Sequence, residues 1–335
     1  MTALNTVLDA ADRALLNLLQ RDFPLVSEPF QLLAAEMGST QAGVLGRVRS
    51  LCQGGFIRSI GGVFDPEGLG YRSTLAALHV ADERLDEAAR VVNAHPGVSH
   101  NYARDHYFNL WFTLSLPAEE DADSVIAMLA LQTGAEASAN LPALRVFKLR
   151  VYFDMVGEDE PDGGQVATDA AVKTKRVRLS LEDRKVVALL CHDIPLVERP
   201  FDVLARRAGL RADDFIVRMK RLREQGVMRR LAAVLRHQRA GFVANAMSCW
   251  RVPPELVETV CSAAGARKEV SHCYERKTAP GWPYNVFAMV HGRNAGECQA
   301  VAEAVSRQAG VADFVLLRST KEYKKEKVKY FEWLV

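Results

Sequence analysis

From Leu8 the chain runs LDAADRALLNLLQRDFPLVSEPFQLLAAEMG, and its apolar positions recur at the spacing of one helix face. Leu8, Leu15, Leu16, Leu18 and Leu19 predict a first helix. Residues 30–37, closed by Gly38, predict a second, and Val44, Leu45, Val48 and Leu51 after the Ser39-Thr40 cap signal predict a third. Three short helices within about 50 residues form a helix-turn-helix outline. The period then changes. Residues 58–71 read as a strand ending in a glycine-containing corner. Beyond it come a strand at 73–81, a helix at 82–94, strands at 97–105 and 107–116, a helix at 119–133 and a strand at 144–153. The order βαββαβ is the ferredoxin-like unit.

The whole pattern is written twice. LSLEDRKVVALLCHDIPLVERPFDVLARRAG, from Leu179, aligns with the opening segment without a gap. Asp183-Arg184 answers Asp12-Arg13, Pro195-Leu196-Val197 answers Pro24-Leu25-Val26, Pro200-Phe201 answers Pro29-Phe30, and Gly209 answers Gly38. The register continues through GGFIRSIGGVFDPEGLGY and QGVMRRLAAVLRHQRAGF, then VSHNYAR and VSHCYER, and ends with RVYF and KVKYF. The expected fold is α+β: a tandem repeat of an N-terminal helix-turn-helix (winged-helix) domain plus a ferredoxin-like βαββαβ domain. The boundaries read as 1–56 and 57–156 for the first copy, 157–176 for a Gly- and Asp-rich linker, and 177–227 and 228–335 for the second copy.

Composition narrows the class. The chain has 335 residues, 49% apolar and 25% charged, ordinary values for a folded protein, so disordered and fibrous classes lack support. No apolar run reaches the ~18–20 residues needed to span a bilayer, and the acidic, amphipathic start is unlike a secretion signal, so the expected location is the cytoplasm. Forty-three basic and forty-one acidic residues give a net charge of +2, and any basic site must be local. Cys52, Cys191, Cys249, Cys261, Cys273 and Cys298 form no CxxC pair, which fits buried reduced thiols better than disulfides or zinc.

The motif LD-x-x-D-R-x-x-L-x-x-L-Q at the start and G-F-I-R-x-I-G-x-V-F-D-P-x-x-L-G-Y at the junction resemble the AsnC/Lrp family, whose members are mostly amino-acid-responsive DNA-binding regulators. The third helix of the first copy, however, offers only Arg47 and Arg49 for DNA, and the second copy places Asp213 and Asp214 at the equivalent helix start. A narrower branch fits better. FPL-x-x-x-PF, VSHNYAR-x-H-x-x-NLWFTL, VSHCYER, WPYN-x-F-x-M-x-HG and STKEYKK together resemble the siroheme decarboxylases, in a fused two-subunit form. The resemblance implies removal of two acetate carboxylates from siroheme to give 12,18-didecarboxysiroheme, in heme d1 biosynthesis. It also implies no cofactor beyond the iron tetrapyrrole substrate, and a homo-oligomer or a complex with a paralogous decarboxylase pair. The competing readings are a DNA-binding regulator and a non-catalytic tetrapyrrole carrier.

Strand alternation places Val98, His100, Tyr102 and Arg104 on one face, and Val270, His272, Tyr274 and Arg276 likewise. His and Arg would stand roughly 13 Å apart at ~3.3 Å per residue, a span that suits a flat macrocycle. Imidazole ligates a porphyrin-type iron and guanidinium forks onto carboxylates. Hence His100 and His272 are cast as axial ligand and general acid, in either order. Arg104 and Arg276 are cast as carboxylate holders, Tyr102, Tyr274, Asn109 and Asn285 as orienting donors, and Arg58, Arg229 and Arg230 as further acid-binding groups. His106 and His291 are weaker candidates. The basic tail RSTKEYKKEKVKYF reads as a solvated edge strand or, by its nearness to the second site, as a patch that steers the acidic substrate, and Trp282-Pro283, in a four-residue insertion, as a lid or a longer hairpin.

Overall fold

The computed structural model describes residues 8–149, 177–235 and 244–335; the 157–176 linker, the RVYF end of the first copy and the segment 236–243 lie outside them. The first copy runs α1 (Ala10–Arg21), α2 (Pro29–Glu36), α3 (Gln41–Gln53), β1 (Ile57–Phe64), β2 (Tyr71–His79), α4 (Leu85–Ala94), β3 (Val98–Arg104), β4 (Leu110–Pro117), α5 (Ala122–Thr133) and β5 (Ala137–Leu149). The second repeats it as α6 (Leu181–Leu190), α7 (Pro200–Ala208), α8 (Ala212–Glu224), β6 (Met228–Leu235), β7 (Ala244–Trp250), α9 (Val257–Gly265), β8 (Val270–Arg276), β9 (Val286–Gly292), α10 (Ala295–Ala309) and β10 (Phe314–Lys325). Reciprocal capping boxes at Asp9 and Ser180 open α1 and α6, and Pro29 and Pro200 sit in the first turns of α2 and α7, where a missing N–H costs nothing.

The copies interlock. Strands β1 and β6 pair antiparallel, and both helix-turn-helix segments share one core around Phe23, Phe30, Phe201 and Phe215. The FPL and IPL motifs explain the crossing. The Phe23 N–H donates to Leu231 O on β6 at 2.7 Å, and the Ile194 N–H donates to Ile60 O on β1 at 2.9 Å. The remaining strands close a barrel in the order β10-β3-β4-β2-β5-β8-β9-β7. Strands β5 and β10 are the joints: each pairs with a strand of its own copy first and with the other copy's His-bearing strand further on.

Three expectations are corrected here. Strand β5 begins at Ala137 instead of Leu144, because Pro142, which argues against a strand in sequence, sits where β5 leaves β2 for β8. The basic tail is not an edge, since β10 pairs with β7 and with β3 of the first copy. Its KVKYF end is no strand: Tyr330 and Phe331 are buried in the shared helical core, their rings edge-on to Tyr71 at 4.9 and 5.4 Å. Among the described residues no helix is long and apolar enough to cross a membrane.

Candidate active site

Strands β3 and β8 stand four places apart in the ring of eight, on opposite walls. Four successive antiparallel pairings separate them, so they run the same way and carry their histidines at the same end. Alternation decides which face each residue takes. Buried Asn101 donates to Ala89 O and Asn93 Oδ1 on α4, and Cys273 packs in the core under α9, so His100, Tyr102 and Arg104, and His272, Tyr274 and Arg276, face the interior. The two valines are a correction. A register shift after Val98 and another after Val270 turn both onto the helix side, where they join the cores beneath α4 and α9.

The arginines are a second correction. An eight-strand barrel has an interior just wide enough to be filled by side chains, and this one is filled at the arginine end by Phe108, Trp111, Trp282 and Phe287. Arg104 is only 6% exposed and donates to Leu317 O at 3.0 Å; Arg276 donates to Leu141 O at 2.9 Å. Each Nε is sealed and unpartnered, and both guanidiniums lie within electrostatic reach of Cys249. They brace the Tyr102 and Tyr274 rings, at 5.6 and 4.6 Å, from the closed side of the barrel. They are not open carboxylate holders. Trp282, at the tip of the inserted hairpin, is 1% exposed and packs on Trp111 at 4.9 Å, so the insertion is a plug and not a lid. His106 meets Trp282 edge-on and accepts the Phe108 N–H, which places it in the same plug.

Asn109 and Asn285 are also corrected. Asn109 Oδ1 accepts from Val80 N at 3.0 Å, and its Nδ2 donates to Val80 O and Asp82; Asn285 clasps Val252 in the same way. Their amides are spent on the chain that leaves β2 and β7. Replacing Asn109 with Ala is expected to cost about 2 kcal/mol, by orphaning the Val80 backbone groups, with ligand affinity unchanged. Urea unfolding and pigment titration would separate the two effects.

At the other end the histidines are half-buried. His100 Nδ1 lies 3.0 Å from Ser99 Oγ, and His272 Nδ1 lies 2.7 Å from Ser271 Oγ, which is also 2.7 Å from His291 Nε2. The second copy therefore holds a His272–Ser271–His291 relay, where the first copy has Ser115 paired with Ser73 at 2.6 Å. Burial, helped by Lys325 and Arg58, pushes His100 down from 6.5 to about 4. Burial also lowers His291 and raises the Tyr102 and Tyr274 hydroxyls. A neutral His100 at physiological pH has a lone pair free for a metal.

The depressed pKa has a consequence for stability. The unfolded chain takes up the His100 proton near pH 6.5 and the folded chain only near 4. Stability is therefore full above pH 6.5 and falls as pH drops through that window, by on the order of 3 kcal/mol for this residue. His100→Gln is expected to flatten the slope of the urea midpoint against pH between 6.5 and 4.

Arg58 on β1 lies close to His100 and Tyr102, and its counterpart Arg229 on β6 lies close to Tyr274 while paired with Asp65 at 2.9 Å. Arg230 turns to the opposite face, toward Asp22, as adjacent strand residues must, so it leaves the site. Two helix-turn-helix cations of the first copy are engaged within the fold. Arg47 pairs with Asp9 and Asp12 at 2.8 and 2.7 Å, and Arg49 donates to Leu196 O at 2.7 Å.

Comparison with known proteins gives the family. Residues 12–58 and 183–229 match the siroheme decarboxylase NirDL-like helix-turn-helix domain, and residues 68–148 and 239–324 the AsnC-like ligand-binding domain. The siroheme decarboxylase of Hydrogenobacter thermophilus is 40% identical over 318 residues, covering 95% of this chain and 94% of that one. The chain belongs to the siroheme decarboxylase family. A crystal structure of the siroheme decarboxylase NirDL aligns with a TM-score of 0.76 at 36% identity over 97% of each chain. Another, in complex with an iron-uroporphyrin III analogue, aligns with a TM-score of 0.76 at 37% identity, over 96% of this chain and 95% of that one. The siroheme decarboxylase beta subunit of Methanosarcina barkeri matches 44% of this chain and 97% of itself at 40% identity, which is the half-length relationship expected of a duplicated chain.

Proposed function

We propose that this chain is a siroheme decarboxylase, with siroheme as substrate, didecarboxysiroheme as product and heme d1 assembly as its destination. The observation that carries the reading is the pair of His-x-Tyr ladders running the same way on opposite walls, with Lys325 and Arg58 in the electrostatic surroundings of His100. The iron-uroporphyrin analogue held by a relative of the same fold supports it.

Each turnover step breaks the bond between an acetate methylene and its carboxylate. Carbon dioxide leaves, the electron pair passes into the conjugated ring, and a proton returns to the methylene to make a methyl. No cofactor of the protein's own enters this scheme. His100, held neutral by burial, is the axial ligand to the substrate iron. His272 is the proton donor, reloaded through Ser271 and His291. Tyr102 and Tyr274, kept protonated and steadied by the arginines beneath them, orient the ring edge, and Arg58 and Arg229 meet its acids. The fused copies supply within one chain the pairing that separate alpha and beta subunits would provide between chains. The protein works in the cytoplasm, as a homo-oligomer or in complex with a paralogous decarboxylase pair.

Anaerobic incubation with siroheme and mass analysis of the pigment tests the reading. Loss of two carbon dioxide units is expected; a pigment that stays bound and unchanged would leave a carrier instead.

A further inference from the structure

The basic C-terminal strand is sorted by its pairing with β3. Lys321 and Lys324 turn outward to α4, where their ammonium groups reach Asp86 at 2.7 Å and Asn93 O at 2.9 Å. Lys325 is paired in register with His100, and Glu322 with Tyr102, so both present their side chains to the same face as the site. The second copy's last strand thus delivers a lysine to the first copy's histidine. Arg58 lies within electrostatic reach of both His100 and Lys325. Lys327, two residues on, lies near Arg58 with its Nζ buried and unpartnered.

Countercharge here is thin. Glu322 approaches Lys325 only to 4.0 Å and is shared with the Tyr102 hydroxyl. Asp193, the acid near Lys327, accepts the Ile60 N–H at 3.0 Å. Among the described residues Arg58 has no carboxylate within ion-pair distance. Lys325 and Arg58 beside a neutral imidazole, with Lys327 in the field of Arg58, repel one another, and a half-buried cluster of that kind is completed when an anion enters it.

We propose that Lys325, with Arg58 and in the field of Lys327, forms a cationic cradle beside His100 that grips carboxylate side chains of the iron ring. The register equivalent opposite His272 is Leu149, so among the described residues Lys325 has no cationic counterpart on that wall. The inference deepens the siroheme reading and rests on it for the identity of the ligand.

The test uses the full chain and Lys325→Leu, which installs the residue found opposite His272. Iron uroporphyrin, iron coproporphyrin and protoheme, in falling order of carboxylate number, are titrated by their absorbance at low and high salt. The substitution is expected to weaken iron uroporphyrin by roughly 10-fold or more, to flatten its salt dependence and to leave protoheme nearly unchanged. Lys325→Arg should restore most of the loss, and siroheme turnover by the leucine variant should show a raised KM with kcat nearly kept. Equal affinity of variant and wild type for all three rings overturns the cradle. So does an equal loss for all three that arginine does not rescue, which would mark Lys325 as structural. A wild type that binds the rings with the expected charge dependence but releases no carbon dioxide from siroheme would sink the enzymatic reading and leave the cradle standing.

Discussion

His272→Ala is expected to lower siroheme turnover by about 100-fold or more while the pigment stays bound with its wild-type spectrum, because a positioned proton donor contributes that much and ligates nothing here. His100→Ala should behave differently. It removes the axial imidazole, so the absorbance of the bound pigment shifts and affinity falls along with the rate. Exogenous imidazole added to His100→Ala should restore the spectrum, by occupying the space the side chain vacates. The relay adds a third expectation: His291→Ala should reduce turnover less than His272→Ala, since Ser271 remains 2.7 Å from His272 Nδ1 and can still pass a proton from solvent. Single-turnover rates and spectra of the three variants decide the matter. If His100→Ala keeps both spectrum and rate, the ligand lies elsewhere and the site as described is wrong.

The largest effect on stability is expected at Trp282. Its ring contacts those of His106, Phe108, Trp111, Tyr284 and Phe287, with centroids 4.9 to 6.1 Å away, and it is 1% exposed. Trp282→Ala removes the middle of that aromatic plug and should cost about 3–5 kcal/mol by the cavity it leaves. The residues that face the cavity include the anchors of both copies, so the barrel should loosen as one body. Thermal unfolding should stay a single transition at lower temperature, and the Arg104 and Arg276 side chains beneath the tyrosines should lose their fixed positions. Turnover should fall as the tyrosines lose that support. A variant that melts within a degree or two of the wild type would mean that the plug is dispensable and that the hairpin serves some other purpose.

Much of the fold was legible from periodicity alone. The two helix-turn-helix outlines, the βαββαβ order and the duplication follow from apolar spacing, cap residues and matched motifs, and the structure keeps them with small shifts at element ends. Pro142 hid the start of β5, because a proline inside a strand is acceptable only where the pairing changes, and the sequence does not announce that place. The site was half legible. His100, Tyr102, His272 and Tyr274 share the faces that alternation gave them. The bulges after Val98 and Val270 broke the rule at its first step, since one extra residue reverses every side chain on one side of it. Asn109 and Asn285 looked like free donors because a sequence shows which groups can donate and not which backbone atoms already receive them.

By itself the sequence determined the elements, their duplication and the residue types that could bind an iron ring, since these depend on local propensity and on matches a few residues long. Tertiary structure alone decided that the last strand of each copy lines the other copy's histidine, that the arginines lie behind an aromatic plug, and that Ser271 joins two histidines. The physical reason is the same in each case. A strand's partner, the space left inside a closed ring of eight strands and the occupancy of a hydrogen-bond donor are set by residues on other strands, twenty positions away for His291 and more than a hundred for the cross-copy pairings and the arginine hydrogen bonds, and no local pattern carries that information.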